Sequence, residues 1–402
     1  MVIFKKIGLF LCVFALILLC FVENGHALTD EGYEALHNFA KVLHYIEDNY
    51  STEVDEEVLI RGAIRGMVGT LDAHSVYMSP EIYRELQIDT RGRFDGIGVE
   101  VTVKNGNLTV VSPIQGTPAD EKGLEAGDEI IRIDGHDTRG LNLSEAVSLM
   151  RGKRGSRIKL TVQREGLKDA FTITLIRRVI KVPSVTAEVI DGKILYLKVI
   201  NFQQSTGRSV AKEIKNANKE NNIEGIILDL RKNPGGLLEE AVAVSDLFLS
   251  DGVIVTTETR GKEVERFDAH SEDTYSNIPI LVLIDGGSAS ASEIVAGALK
   301  DTKRAIILGE QSFGKGTVQT VIDLDDGSGL KLTIARYLTP SGKAIHGEGI
   351  APDIIVGKQP KPKLVRGQQL EKDKVKKYEG DYQLDRAVDY LKYSKDQKPI
   401  NN

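Results

Sequence analysis

Tryptophan is absent from the chain, and cysteine nearly so: the two cysteines among 402 residues, Cys12 and Cys20, both lie in one apolar run near the N-terminus. If that run is removed, no thiol remains. A disulfide scaffold, a thiol enzyme and a zinc–thiolate site are then excluded. A basic block is missing too, since 52 Lys and Arg face 58 Asp and Glu for a net charge of −6. Nucleic-acid binding begins with neutralising phosphates, so this balance excludes nucleic acid as a partner. The seven histidines show no His-Glu-x-x-His or other ligand spacing, and no metal or other cofactor is expected. What is present is ordinary: 41% hydrophobic and 27% charged residues, with 39 Gly and 11 Pro. Collagen, a coiled-coil rod and wholesale disorder are ruled out by that composition. The length suggests two to three domains at roughly 150 residues each. A core of that size needs no disulfide or metal.

The apolar run follows Lys5-Lys6 and extends for sixteen apolar or small residues, from Ile7 to Val22. Small residues at Gly25 and Ala27 then mark a cleavage site after Ala27. This is the pattern of a secretory signal. An uncleaved anchor is the alternative, although sixteen residues is short for a bilayer that takes about 20. Leu19, not a small residue, precedes Cys20, which argues against a lipoprotein. Residues 1–27 are therefore expected to be a signal peptide or membrane anchor, and the chain to work outside the cytoplasm.

Beyond Leu28 the texture changes three times. Tyr33, Leu36, Phe39, Leu43 and Ile46 recur at helical spacing, a second such stretch covers Val54 to Leu71, and a core-facing helical hairpin is expected. From about Gly92 to Lys168 short strands are expected at Phe94–Val103, Leu108–Val111, Glu129–Ile133 and Ile158–Gln163, with one helix at Ser144–Met150. From Lys193 strands and helices alternate: strands at Ile194–Val199, Gly225–Leu230 and Ile280–Ile284, and helices at Arg208–Asn218, Leu238–Leu249 and about Ala289–Lys300. Apolar strands each followed by a helix argue for a buried α/β layer. Past Lys358 the chain is charged, with one amphipathic stretch, Tyr382–Tyr393, read as a short docking helix on a surface tail.

Three segments could carry chemistry. In 286-GGSASASEIVAGAL-299 a buried strand runs into a Gly-Gly turn and then a helix. Such a turn can present a serine hydroxyl where free N–H groups and the helix dipole favour negative charge. Ser290-x-x-Glu293 is equally a capping box, so Ser288 or Ser290 can serve as a cap, and both roles stay open. In 309-GEQSFGKGTVQ-319 most of a phosphate-binding loop is present, but Gly316 stands where a Ser or Thr would bind magnesium, and the nucleotide reading is rejected. Lys315 could instead be a base. At an ordinary lysine pKa near 10.4, about one amine in 2,500 is neutral at pH 7, and burial raises that fraction. Gln319, four residues on, would lie roughly 6 Å away in a helical turn and about 13 Å away in a strand. A solvated lysine in a Gly-rich hairpin loop is the alternative. In 228-LDLRKNPGGL-237 a strand ends in a turn whose Gly235 and Gly236 amides can face a ligand without side-chain obstruction, or simply make a tight turn.

Together these segments resemble the C-terminal processing peptidases, also called tail-specific proteases. LDAHSVY, GRFDGIGVEV, 116-GTPADEKGLEAGDEIIRIDG-135, DLRKNPGG, GSASASEI, GKGTVQ and 339-TPSGKAIHGEGIAPDI-354 occur in the family's order from about Leu71 to Ile354. The resemblance implies an α/β (α+β) multidomain fold, with a ββα-type protease core, an inserted PDZ domain and an N-terminal helical segment. The helical segment would cover 28–91, the PDZ domain 92–168, the serine protease core 169–357, and a charged C-terminal tail with its short helix 358–402. It implies Ser290 as nucleophile, Lys315 as general base supported by Gln319, and an oxyanion hole from the Gly236 and Ala291 amides. Gly96-Ile97-Gly98-Val99 matches the PDZ carboxylate-binding loop. Asp285 stands where the family commonly has Asn, and Ala73 where it has Pro; neither change removes a catalytic group. The implied activity is a Ser/Lys endopeptidase of the bacterial periplasm or cell envelope, capturing apolar C-termini and cleaving upstream through a Ser290 ester. A homodimer, an envelope helper protein and gating by the PDZ module are further expectations. The rival readings are a non-catalytic binding protein or PDZ scaffold on the same frame, which would have no use for the Ser290, Lys315, Gln319 set.

Overall fold

The computed structural model describes residues 29–272, 274–359 and 380–396. The apolar run, both cysteines and the expected cleavage site lie outside the described residues, as does most of the charged stretch after Lys358. Among the described residues, no helix is long and apolar enough to cross a membrane. The chain divides after Val76 into two units.

The first unit contains the helices Asp30–Asn49 and Glu56–Gly69. Each starts on a side chain that takes an orphan amide: Thr29 Oγ1 accepts from Gly32 at 3.2 Å and Asp55 Oδ1 from Glu57 at 2.9 Å. The expected core-facing hairpin is not what forms. The first helix buries no residue, with Tyr33, Leu36 and Phe39 at 60%, 53% and 44% exposure, and the second buries Val68 alone. Periodicity reports an apolar stripe; it does not report whether the same chain supplies a layer to cover it.

In the second unit, helix Pro80–Arg91 opens on a proline and closes on left-handed Gly92. An antiparallel sheet follows, with Val99–Lys104, Asn107–Pro113, Glu129–Ile133, Arg157–Gln163 and Phe171–Ile176 side by side in that order. Strict alternation buries Ile158, Leu160 and Val162 against Ile97, Leu108 and Ile130. The single strand expected over Phe94–Val103 is two, broken at Ile97-Gly98. Gly98 sits at φ 76°, where a Cβ would come within 2.3 Å of the Thr117 side chain, so the backbone turns out of the ladder there. The Arg93–Gly96 piece pairs instead with Arg178–Lys181. The sheet also runs past Lys168 to Ile176, because the charged stretch 165–169 is a hairpin turn between two of its strands.

A mostly parallel sheet has the order Val185–Ile190, Ile194–Val199, Gly225–Asp229, Ile280–Ile284, Ala305–Gly309, Ile354–Ile355, antiparallel at the first pair and parallel thereafter. Strands buried on both faces explain their unbroken apolar runs. Ile226, Leu228, Val282 and Ile284 meet the helices Thr206–Glu220, Leu238–Asp246 and Ala291–Asp301. Ile227, Leu281 and Leu283 face the other way, onto Ala387, Val388 and Leu391 of the helix Tyr382–Asp396. That helix is a layer of the core and not a surface appendage. Beside this sheet lies a second one, in which Thr317–Asp323 pairs with Gly329–Leu338, Gly329–Leu338 with Val253–Thr259, and Val253–Thr259 with Lys262–Asp268. The whole is an α/β multidomain fold.

Candidate active site

The C-terminal ends of the central parallel strands converge on one place. There Ile280–Ile284 breaks at Asp285-Gly286-Gly287 and enters the helix Ala291–Asp301 through three serines. Two are spent on structure. Ser288 Oγ donates to the Leu230 carbonyl at 2.8 Å, and Ser292 Oγ to the Asn233 carbonyl at 3.0 Å. Ser290 stands at φ 54°, ψ −114°, a left-handed region that costs a non-glycine residue of order 1–3 kcal/mol. An ordinary helix cap is extended and carries no such strain. The capping-box arrangement is present, with the Glu293 carboxylate accepting from the Ser290 amide at 2.8 Å. The Glu293 amide, however, makes its 2.8 Å bond to the Ser290 carbonyl oxygen.

The Asn-Pro-Gly-Gly turn is bonded to these serines. Asn233 is fully buried and uses every polar group. Its carbonyl accepts from Ala289 N–H at 3.0 Å, Nδ2 donates to Val199 O at 2.8 Å, and Oδ1 accepts from Gly235 N–H at 2.9 Å. Gly235 presses on the serine turn so closely that a Cβ would lie 2.8 Å from Ser290 Cβ and 3.0 Å from Ala291 N. At Gly236 a Cβ would meet Phe202 O at 2.1 Å. The turn is tight, and it brings Gly235 onto the Ser290-Ala291 peptide while Gly236 lies against Phe202. The tight-turn role is the one this geometry carries, and the Gly235 N–H is taken by Asn233.

Lys315 reaches the same place through Glu293. This fully buried carboxylate accepts four hydrogen bonds: Ser312 Oγ at 2.5 Å and Gly314 N–H at 2.6 Å on Oε1, Ser290 N–H and Lys315 N–H, each at 2.8 Å, on Oε2. One side chain therefore fixes the backbone of Ser290 and of Lys315. Gln319 is placed differently. Thr317–Asp323 is a strand, not a helical turn, and the Gln319 amide donates to Thr317 O at 2.9 Å and Thr317 Oγ1 at 2.6 Å. The i, i+4 geometry that would set it on Lys315 is not the one adopted. A strand after the Gly-rich loop likewise offers no helix N-terminus to a phosphate. Lys331, on Gly329–Leu338, was invisible in the sequence because it sits in an ordinary strand alternation. Burial, followed by the positive charge of Lys315, pushes its ammonium down from the usual lysine range.

Sequence reasoning also missed Asn233 and Arg231, and took Glu293 as a capping partner alone. Asp285 has a larger role than its substitution for Asn suggested. Its Oδ1 accepts from Lys232 N–H and Gly287 N–H, both at 2.9 Å, and Lys358 Nζ lies 3.5 Å from Oδ2. Burial opposes its ionisation, but those two amides and the ammonium outweigh burial and hold it below the usual carboxylate range. A carboxyl depressed in the folded state stabilises it above the unfolded pKa and loses that contribution as pH falls through the folded one. Asp285→Asn keeps the acceptor but not the charge. Its thermal midpoint is expected below the parent's at pH 7, with the gap closing as pH falls below about 4. Unfolding curves over a pH series check this; a gap independent of pH overturns it.

On the antiparallel module, Gly96, Ile97, Gly98 and Val99 form the loop leading into the edge strand Val99–Lys104. The loop carbonyls are occupied, with Ile97 O accepting from Ala119 N–H and Gly98 O from Ile114 N–H, both at 2.9 Å. The helix Leu143–Met150 runs beside that edge strand, and Leu143 is 42% exposed. An edge strand, a backbone loop and an apolar helix flank are the elements with which a sheet can take up an extended peptide.

Three family models match the chain: peptidase family S41 over residues 193–356, the PDZ domain over 96–175, and the N-terminal domain of the activating protease CtpB over 21–82. A carboxy-terminal-processing protease of Bartonella bacilliformis is 44% identical over 91% of this chain and 84% of its own length. The carboxy-terminal processing protease CtpA of Bacillus subtilis is 37% identical over 82% of this chain and 71% of its own. A solved photosystem II D1 C-terminal processing protease is 30% identical, with 84% of this chain and 92% of that one covered at a TM-score of 0.49.

Proposed function

The chain belongs to the carboxy-terminal-processing proteases of peptidase family S41, serine-type enzymes, and from that premise we propose that Ser290 and Lys315 form its catalytic dyad and that its PDZ module selects substrates by their apolar C-termini. The observation that carries the dyad is Glu293, which holds the amides of both residues on one carboxylate oxygen. Ser290 is also the serine of the three whose hydroxyl is not spent on a neighbouring carbonyl.

In this reading the neutral Lys315 amine removes the Ser290 hydroxyl proton as Oγ attacks the scissile carbonyl. The oxyanion that forms would accept from the Gly236 and Ala291 amides, backbone donors of the kind that stabilise such a charge. Collapse breaks the C–N bond, the Lys315 ammonium returns the proton to the leaving amine, and an ester on Ser290 remains. Water, deprotonated by the same lysine, hydrolyses it. Gln319 would support the lysine in this reading, and its amide nitrogen donates to Thr317 O and Oγ1. On the PDZ module the amides of Ile97 and Gly98 would take the substrate's terminal carboxylate, its chain would add along Val99–Lys104, and its last side chain would sit beside Leu143.

The N-terminal apolar run would export the enzyme to the cell envelope, and the exposed stripe of Tyr33, Leu36 and Phe39 would be the surface of a homodimer. A dedicated helper protein remains part of the expectation for an envelope protease. The test is a digest of a loosely folded protein ending in apolar residues beside the same protein ending in Asp-Asp, read by mass spectrometry. An apolar side chain in a pocket discriminates by about 10- to 200-fold, and the apolar tail is expected to be cleaved faster by a factor in that range. Equal rates would remove tail selection while leaving the dyad standing.

A further inference from the structure

The segment that delivers Gly236 begins at Asp229, the last residue of a fully buried strand. Its other anchor lies 150 residues away. Arg231, with 12% of its side chain exposed, spans two carboxylates: Nε and Nη2 donate to Asp229 at 2.9 and 2.6 Å, and Nη1 and Nη2 to Asp381 at 2.8 and 2.7 Å. Nη1 also donates to Gln383 Oε1 at 3.0 Å, while Gln383 Nε2 donates to Val356 O at 2.7 Å. Tyr196 completes Asp229 with a 2.6 Å bond to Oδ2.

A buried guanidinium is costly unless every donor is met, and here three of its five hydrogen bonds go to Asp381 and Gln383 at the start of the C-terminal helix. That helix docks without them, through Ala387, Val388 and Leu391 on the sheet. Asp381 and Gln383 are instead at its N-terminal end, on Arg231. We propose that Asp381 and Gln383 are positioning residues for catalysis: they hold Arg231, and through it the 229–236 segment whose Gly236 amide meets the oxyanion. The proposal rests on the oxyanion assignment made above. From Arg231 onward each backbone step is fixed in turn. Lys232 N–H is on Asp285 at 2.9 Å, Asn233 is tied to Ala289 and Val199, and Gly235 N–H is on Asn233. Removing the distal carboxylate leaves the guanidinium held by Asp229 and Gln383 alone, with two of its five hydrogen bonds lost, and loosens the start of that course.

The test uses the full chain and four variants, Asp381→Ala, Asp381→Asn, Gln383→Ala and Leu391→Ala, the last loosening the helix at the end away from Arg231. For each variant kcat and KM on an apolar-tailed peptide are measured, with affinity for a peptide aldehyde that needs the oxyanion hole, and the thermal midpoint. Complete loss of an oxyanion donor costs 100- to 1,000-fold, so displacement of one in Asp381→Ala is expected to lower kcat about 30-fold with KM within about twofold. Aldehyde affinity should fall by the same factor, Asp381→Asn should recover part of the loss, and Gln383→Ala should show a smaller one. Leu391→Ala should lower the midpoint while the folded enzyme keeps its kcat within about twofold. Two outcomes overturn the proposal: kcat unchanged in Asp381→Ala, or a kcat loss in Leu391→Ala that matches it at equal midpoint. If Asp381→Ala does not fold, Asp381→Asn and Gln383→Ala decide by the same readouts. Cleavage by Ser290→Ala at the parent's rate would instead sink the site reading; Ser290-dependent cleavage indifferent to Asp381 and Gln383 sinks this inference alone.

Discussion

Ser290→Ala is expected to lower peptide-bond hydrolysis by at least about 10⁴-fold while leaving the thermal midpoint of the chain nearly unchanged. The two halves of that result have separate physical origins. Under the proposed dyad the hydroxyl supplies the nucleophile, so its removal leaves no group in the turn assigned to form the ester. The fold holds the residue through its backbone, with its amide on Glu293 and its carbonyl on the Glu293 amide, and alanine keeps both. Alanine also inherits the φ of 54° with no added Cβ strain. Lys315→Ala should produce a loss of similar size, and Lys315→Arg should not rescue it, because a guanidinium stays charged and cannot take a proton. The double variant should be no slower than either single one, since the two residues act as a unit. Rates from a quenched peptide, normalised by folded fraction, measure all four. A Lys315→Arg variant with a tenth or more of the parent rate would remove lysine from the base role.

Glu293→Gln should damage both stability and rate. Two donors converge on each carboxylate oxygen, Ser312 and Gly314 on one, Ser290 and Lys315 on the other. An amide substitutes an NH₂ group for one oxygen, which then points donors at donors. Each buried donor left unpaired costs about 1–3 kcal/mol, so a loss of roughly 2–4 kcal/mol is expected, with one of the two partners free to rotate or shift. Because the displaced groups are the Ser290 and Lys315 backbones, the folded fraction should also react slowly with a serine-directed fluorophosphonate. Denaturant unfolding and labelling of the native fraction separate the two effects. A variant with lowered stability and full labelling rate would make Glu293 purely structural.

The asymmetry between Ser290 and Glu293 reflects what was legible beforehand. The serine lies in a Gly-rich turn after an apolar strand, a local pattern that period and composition expose. Glu293 reads locally as a capping partner, and that reading is correct as far as it goes. Its bonds to Ser312, Gly314 and Lys315 cross from one strand–loop unit to the next, and no spacing rule spans that distance. Gln319 shows the converse: spacing left a helical or a strand relation to Lys315 open, and pairing with Gly329–Leu338 makes it a strand residue. The helical hairpin fared likewise, since periodicity finds the stripe of Tyr33, Leu36 and Phe39 but not its exposure among the described residues.

Local physics thus settled, from sequence alone, that this is an α/β protein with an added β-rich module, where its buried strands run, and which glycine turns could carry a serine, a lysine and oxyanion amides. Those properties depend on residues within a few positions of one another. Tertiary structure decided the rest: that Ser288 and Ser292 are spent on carbonyls, that Glu293 and Asn233 bolt the separate turns together, and that Arg231 leans on a helix 150 residues downstream. Each of these is a hydrogen bond between groups far apart along the chain, and only the packing of one strand end against the next brings such partners within 3 Å.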